Sequence, residues 1–249
     1  MTAFSPTALL DAVSRTRQPH LTWCGGPDGS ERVELSGHVL ANWVAKTANF
    51  LDEEGVGEGD VVVVDLPVHW RAVVWVWAAW IRGAAVSFVP DGGSAGGADD
   101  DGGSGGGDDG GGGAAVVATD RPERHAGREA VVVAVSLAPL ALRWDGELPP
   151  GAMDGGEIMG QADVLVMPGA VVRGETAVAD SGLSFEDLDA AIGTGDGTRI
   201  AFVPGSVWEL ARTAFSAWRD GGSVVVFAEQ LSESRRNQLI AQEGARFVE

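Results

Sequence analysis

The sequence predicts an α/β domain, a mainly parallel sheet with helices on both faces. Three observations carry that expectation. Strand-like apolar runs alternate with amphipathic helix-like runs along most of the chain, the order that parallel strands and crossover helices produce. The runs Val61–Leu66 and Val224–Phe227 are almost wholly apolar, as strands covered on both faces are. A length of 249 residues is enough for one large domain with its own core.

Taken in order, Ser36 is placed to cap a helix. Val39, Leu40, Trp43, Val44, Thr47, Phe50 and Leu51 share one face of it at 3-4-3-4 spacing, and Gly55 ends it. The turn GVGEGD leads to a strand at Val61–Leu66, broken by Pro67. A helix follows to about Arg82, with Trp70, Val73, Val74, Trp77 and Ile81 on one side and Gly83 as its stop. Ala85–Val89 is a strand closed by Pro90. From Asp91 to Gly113 the chain holds 13 glycines and 6 aspartates in 23 residues, with no large apolar side chain. Nothing there offsets the entropy of ordering, so a flexible loop is expected. The run lacks the regular period of calcium-binding Gly/Asp repeats.

Beyond it, strands are expected at Ala115–Ala118 and Ala130–Val135, with irregular chain over Leu137–Gln161 and a strand at Ala162–Met167. Ser184–Ile192 is a short capped helix with Glu186 and Asp187 near its N-terminus, where the helix dipole favours them. Arg199–Val203 is a strand, Ser206 opens a helix with Leu210, Ala211, Ala214, Phe215 and Trp218 inward, and Val224–Phe227 is a strand. Ser232 caps a last helix ending near Gly244, before a short strand at Ala245–Val248. The organisation expected is a first α/β part at 1–90, the loop at 91–113, and a second part of the same domain at 114–249.

Composition narrows the function. The net charge is −19 with 36 acidic residues, which repels phosphate backbones and anionic lipid, so neither nucleic acid nor a membrane surface is an expected partner. Ala72–Pro90 is apolar, but Arg82-Gly83 interrupts it and a strand pattern follows, so a buried helix and strand are expected. Trp70, Trp75, Trp77 and Trp80 are read as core packing plus one exposed edge, because an acidic chain is a poor stacking platform for bases. Cys24 is the one cysteine, so no disulfide framework and no metal site are expected. No secretory signal is visible at the start, and a cytoplasmic protein is expected. The chain has no tyrosine and one lysine, Lys46.

No G-x-S-x-G, H-E-x-x-H or G-x-x-x-x-G-K-[ST] motif occurs. Gly193-Thr194-Gly195-Asp196-Gly197 precedes a strand instead of following one, the wrong order for a dinucleotide fingerprint. Cys24-Gly25-Gly26 resembles a loop nucleophile, yet no His or Asp can be assigned to activate it.

From Glu31 to Pro90 the order resembles the N-terminal part of the adenylate-forming (AMP-binding, acyl-CoA synthetase-like) superfamily. The carrying residues are VELSGHVLANWVAKTANFLDEEGVGEGDVVVVDLP, the Trp-rich helix and RGAAVSFVP. Gly55, Val56, Gly59, Asp60, Pro67, Gly83, Ala84 and Pro90 fall at that family's G-V-x-x-G-D, proline and G-A-x-x-x-x-P positions. The segment FVPGSVWELARTAFSAWRDGGSVVVF is similar to a later strand–helix–strand piece of the same family. The chain is also similar to short actinobacterial proteins distantly related to AMP-binding enzymes.

The departures bear on activity. Active members carry a hydroxyl-rich phosphate loop ending in P-K-G. Here the strand ADVLVM is expected to deliver Pro168-Gly169-Ala170-Val171-Val172-Arg173-Gly174, without hydroxyls or lysine. The resemblance makes Pro168, Gly169, Arg173 and Gly174 the remnant of a nucleotide site, able at most to bind AMP or ATP weakly. The family's gating aromatic or His is replaced by Pro204-Gly205-Ser206-Val207. The sequence reaches Glu249 without the adenine motif, the ribose-binding Asp or the small C-terminal lid domain with its lysine. What the resemblance implies is a truncated relative with no catalytic residue, acting as a binding or interaction protein with a protein partner. The alternatives are an enzyme completed by a partner chain, or a weak nucleotide- or acyl-binding protein.

Overall fold

The computed structural model describes residues 4–26, 30–89, 113–139, 141–227 and 231–248. The Gly/Asp-rich run, apart from Gly113, lies outside the described residues. The chain starts with α1 (Pro6–Ser14), capped by the Ser5 hydroxyl on the Ala8 N–H, and with Pro6 in its first turn. β1 (Pro19–Gly25) and β2 (Glu31–Ser36) pair as an antiparallel hairpin. Ser36 then caps α2 (Gly37–Glu53) by accepting from the Val39 N–H, as its position predicts. β3 (Val61–Asp65), α3 (Trp70–Arg82) and β4 (Ala85–Phe88) form a parallel β–α–β unit, with Gly83 in the left-handed region at φ 79.

The second half adds β5 (Ala114–Thr119), β6 (Val131–Ala134), β7 (Ala152–Asp154), β8 (Thr176–Val178) and β9 (Leu183–Ser184). It continues with α4 (Phe185–Ile192), β10 (Arg199–Phe202), α5 (Val207–Arg219), β11 (Ser223–Phe227), α6 (Glu233–Glu243) and β12 (Arg246–Phe247). The fold is α/β with mostly parallel strands, but they form two sheets, not one. The first runs β12-β10-β11-β1-β2 and the second β7-β6-β5-β3-β4-β8-β9. Among the described residues only β2 and β9 run antiparallel to their neighbours.

The two sheets are joined through helices. α3 is apolar nearly all round, and every residue of it except Arg71 is buried, so its four tryptophans leave no exposed edge, contrary to expectation, because neighbours cover the helix on all sides. It packs on β3 and β4 and also against α1, α2 and α5; α2 and α5 in turn pack on β1 and β11. Trp77 stacks on Trp218 of α5 with ring centres 5.3 Å apart, and Trp80 sits 5.1 Å from Phe215. Three buried indole N–H groups each find a carbonyl: Trp77 donates to Pro6, Trp80 to Ala177 and Trp218 to His20. No helix among the described residues is long and apolar enough to cross a membrane.

Three local expectations are corrected. Ala162–Met167 is irregular instead of a strand. The stretch 137–161 is not wholly irregular, since β7 and a 3-10 helix at Gly155–Gly160 lie in it. Val39, expected inward, is exposed.

Candidate functional site

The stretch that leads to the candidate loop lies on α2. The Asn49 carboxamide donates to the carbonyls of Ala162 (3.0 Å) and Val164 (2.9 Å) and accepts from the Val166 N–H (3.0 Å). Those three groups sit on alternate residues, so one side chain replaces the ladder of a neighbouring strand. Lys46 donates to the carbonyls of Met159 and Gln161, which commits the one lysine to holding this stretch.

The loop itself is pressed against the C-terminal end of α3. Buried Arg82 donates from Nη1 to the Met167 carbonyl (2.8 Å) and from Nε to that of Val56 (3.2 Å), and pairs with Asp52. The Gly169 N–H donates to the Ile81 carbonyl at 3.0 Å. A Cβ at Gly169 would overlap the Arg82 carbonyl, and one at Gly83 would overlap the Ala170 carbonyl. Glycine is therefore required on both sides of this close approach. Pro168, Arg173 and Gly174 are exposed while Gly169 is half-buried. The Arg173 guanidinium reaches Glu186 at 3.2 Å, both side chains being largely exposed at 66% and 62%. The four candidate residues thus share one loop, with its glycine committed to packing and its arginine to a surface ion pair.

The segment Pro204–Val207 lies elsewhere, beyond the carboxyl ends of β3, β4 and β10. There Leu66, Val68, Phe88, Gly205, Ser206 and Trp208 line a hollow of about 380 Å³. Its polar groups are spent on the start of α5: Ser206 Oγ accepts from the Glu209 N–H, and the Gly205 N–H donates to the Glu209 carboxylate.

A group that sequence reasoning missed sits where the second sheet reverses its order, between β3 and β5, the customary ligand position in open α/β sheets. Buried Asp65 accepts from Thr119 Oγ1 (2.9 Å), Arg121 Nη2 (2.8 Å) and His125 Nε2 (2.8 Å). Burial would raise the Asp65 pKa; hydrogen bonds from His125 and Thr119 and the charge of Arg121 outweigh it and hold the carboxyl below its ordinary value. With its lone pairs taken by three neighbours, Asp65 latches two strand ends together. The one signal for it in the sequence is an acidic residue inside the apolar run of β3.

Cys24 is buried, and burial first, then the charge of Glu243, pushes its thiol up to about 11. It is no nucleophile at neutral pH. Among the described residues no group of three or more His, Cys, Asp or Glu side chains is placed to hold a metal ion.

No family model matches the chain. A Mycobacterium tuberculosis protein of a numbered family is 40% identical over 80 residues, which are 31% of this chain and 32% of that protein. The solved structures of an acyl-CoA synthetase from Brucella canis and of the amide bond synthetase McbA from Marinactinospora thermotolerans are similar in fold. The first superposes with a TM-score of 0.69 at 18% identity, covering 98% of this chain and 46% of that one. The second gives 0.62 at 19%, covering 97% and 47%. The chain therefore has the fold of the N-terminal part of adenylate-forming enzymes and spans about half the length of those structures.

Proposed function

We propose that this chain is a binding or interaction module built on the adenylate-forming scaffold, and that it does not itself adenylate an acid. The observation that supports this reading is the Met167–Gly174 loop. Charge on transferring phosphates is stabilised by preorganised donors and cations, and this loop offers backbone amides and one arginine already paired with Glu186. Lys46 is held by backbone carbonyls and cannot substitute. The net charge of −19 disfavours ATP at long range and favours a protein partner over a nucleic acid. A cytoplasmic location fits a buried free thiol.

The test is exchange of labelled pyrophosphate into ATP in the presence of carboxylic acids. The isolated chain should show none, and robust exchange would sink the reading. Glycine amides bind anions weakly, so a remnant AMP affinity is compatible with it. Arg173→Ala should abolish any AMP binding that calorimetry detects; equal binding by the variant would leave the loop a purely structural element.

A second reading, an enzyme completed by a partner chain, is favoured by the exposed apolar side chains of Val164, Val166 and Met167 beside the loop. Exchange activity in a complex isolated with its native partner, absent from the chain alone, would support it.

A further inference from the structure

α6 differs from the other long helices in how little of it is buried. α3 buries 12 of its 13 residues and α5 buries 7 of 13, whereas Leu239 is the one buried residue among the 11 of α6. The surface under α6 is the outer face of the first sheet. Strand alternation turns Val225 and Phe227 of β11 away from Val224 and Val226, which belong to the main core. Ala201 lies in register with Val225, and Cys24 with Phe227. With Leu231 and Leu239 these four residues form a small cluster of their own, apart from the main core.

Charge fastens the far end of the helix. The Glu243 side chain, 8% exposed, accepts from Arg32 Nη2 of β2 at 2.9 Å and from Arg199 Nη2 of β10 at 2.7 Å. Burial would raise the Glu243 pKa; hydrogen bonds from Arg199 and Arg32 outweigh it and hold the carboxyl below its ordinary value. Arg199 also donates to Thr22 Oγ1 and Ser223 Oγ, and Arg32 to Glu34. Both guanidiniums therefore keep partners on the sheet if α6 moves away. Beyond α6, β12 pairs with β10 over two residues, Arg246 and Phe247.

Local opening is easiest where few apolar contacts tie a segment to the rest. α6 is tied by Leu239, by its neighbour Leu231 and by one carboxylate, and it takes no part in the main core. The helices that join the two sheets, α3 and α5, lie wholly within that core.

We infer that α6 is a flap, which leaves the first sheet by local unfolding while the two sheets stay docked, and that the Glu243 carboxylate is its clasp. Opening uncovers the row of Cys24, Ala201, Val225 and Phe227. This inference is independent of the reading proposed for the loop.

Cys24 lies under the flap and reports its opening. The experiment follows iodoacetamide labelling of the full chain by mass spectrometry, in wild type, Glu243→Gln, Leu239→Ala and Leu188→Ala. The reference rate is that of the unfolded chain multiplied by the globally unfolded fraction. Wild type without urea should label at least about tenfold faster than this reference, and the rate should change little in dilute urea, because the slope follows the surface exposed. Glu243→Gln should label about tenfold faster than wild type through weakened charge-assisted hydrogen bonds, and Leu239→Ala ~30-fold faster or more through the lost apolar contact. Leu188 is fully buried in the main core, so Leu188→Ala should lower the global urea midpoint and leave labelling without urea unchanged. If Leu188→Ala fails to fold, the urea slope of wild-type labelling decides. Labelling at the reference rate with the global urea slope, an unchanged rate in Glu243→Gln or Leu239→Ala, or acceleration by Leu188→Ala equal to that by Leu239→Ala would overturn the inference.

Discussion

Replacing Asn49 with alanine should release the stretch that carries the candidate loop. Three hydrogen bonds are lost, two to the carbonyls of Ala162 and Val164 and one from the Val166 N–H. Neutral hydrogen bonds contribute about 1 kcal/mol each, which sets an upper value of about 3 kcal/mol. The backbone groups at 162, 164 and 166 belong to exposed residues, so water can take over part of the bonding and about 2 kcal/mol is the expected loss. For a chain of this size that lowers Tm by roughly 4–8 °C. Asn49→Asp should cost more, because it turns a carboxylate toward two carbonyls at a buried position. Calorimetry measures the loss, and hydrogen exchange locates it: amides at 162–170 should exchange faster while those of α3 do not. A Tm unchanged in Asn49→Ala, with unaltered exchange at 162–170, would refute the idea that this side chain stands in for a strand.

Other outcomes follow from single residues. Gly83→Ala should destabilise by more than Gly221→Ala. Both glycines have φ near 80 (79 and 78), which costs an alanine about 1–2 kcal/mol, but a Cβ meets the Ala170 carbonyl at Gly83 and open space at Gly221; equal urea midpoints would count against the close approach. Cys24, with its thiol at about 11, should react with iodoacetamide at pH ~8 far more slowly in the native than in the urea-unfolded chain. Its contribution to stability is intact below the unfolded value of 9.0 and is lost as pH rises toward 11, so labelling of the native chain at the unfolded rate would contradict its burial. His69 has the opposite pH window: the unfolded ring takes a proton below 6.5 that the folded ring refuses until about 3. Stability should therefore fall as pH drops through that range, and His69→Asn, which keeps a capping acceptor, should flatten the fall; identical slopes would disprove the assignment.

What the sequence made legible was local. Ser36, Ser184, Ser206 and Ser232 cap helices where they were expected to, because a cap needs only its own next three residues. β1 was missed. It lies between β11 and β2, and its partner strand begins about two hundred residues later at Ser223, so no periodicity inside PHLTWCG marks it. The segment ADVLVM has strand composition but no strand beside it, since Asn49 of α2 occupies that edge. The missing hydroxyls of the loop could be read directly. The Asp65 latch could not, because Thr119 and His125 reach it only when β3 and β5 are neighbours. A hollow walled by Trp23, Trp43 and Trp70 likewise depends on the β1–β2 hairpin coming against Leu137, Pro139 and Leu142.

The stacked pair Trp77 and Trp218 makes the contact between the sheets optically visible. Two indoles 5.3 Å apart and inclined by 20° are close enough for their excited states to couple, which splits an ultraviolet circular-dichroism band into lobes of opposite sign. One partner belongs to α3 on the second sheet and the other to α5 on the first. The splitting depends on both rings holding their mutual orientation, whereas helical and strand signals depend on each layer alone. A chain whose layers separate while keeping their secondary structure would lose the couplet and little else. Loss of that signal on Trp218→Phe would assign it, and the protein then carries its own reporter of whether the two sheets remain docked.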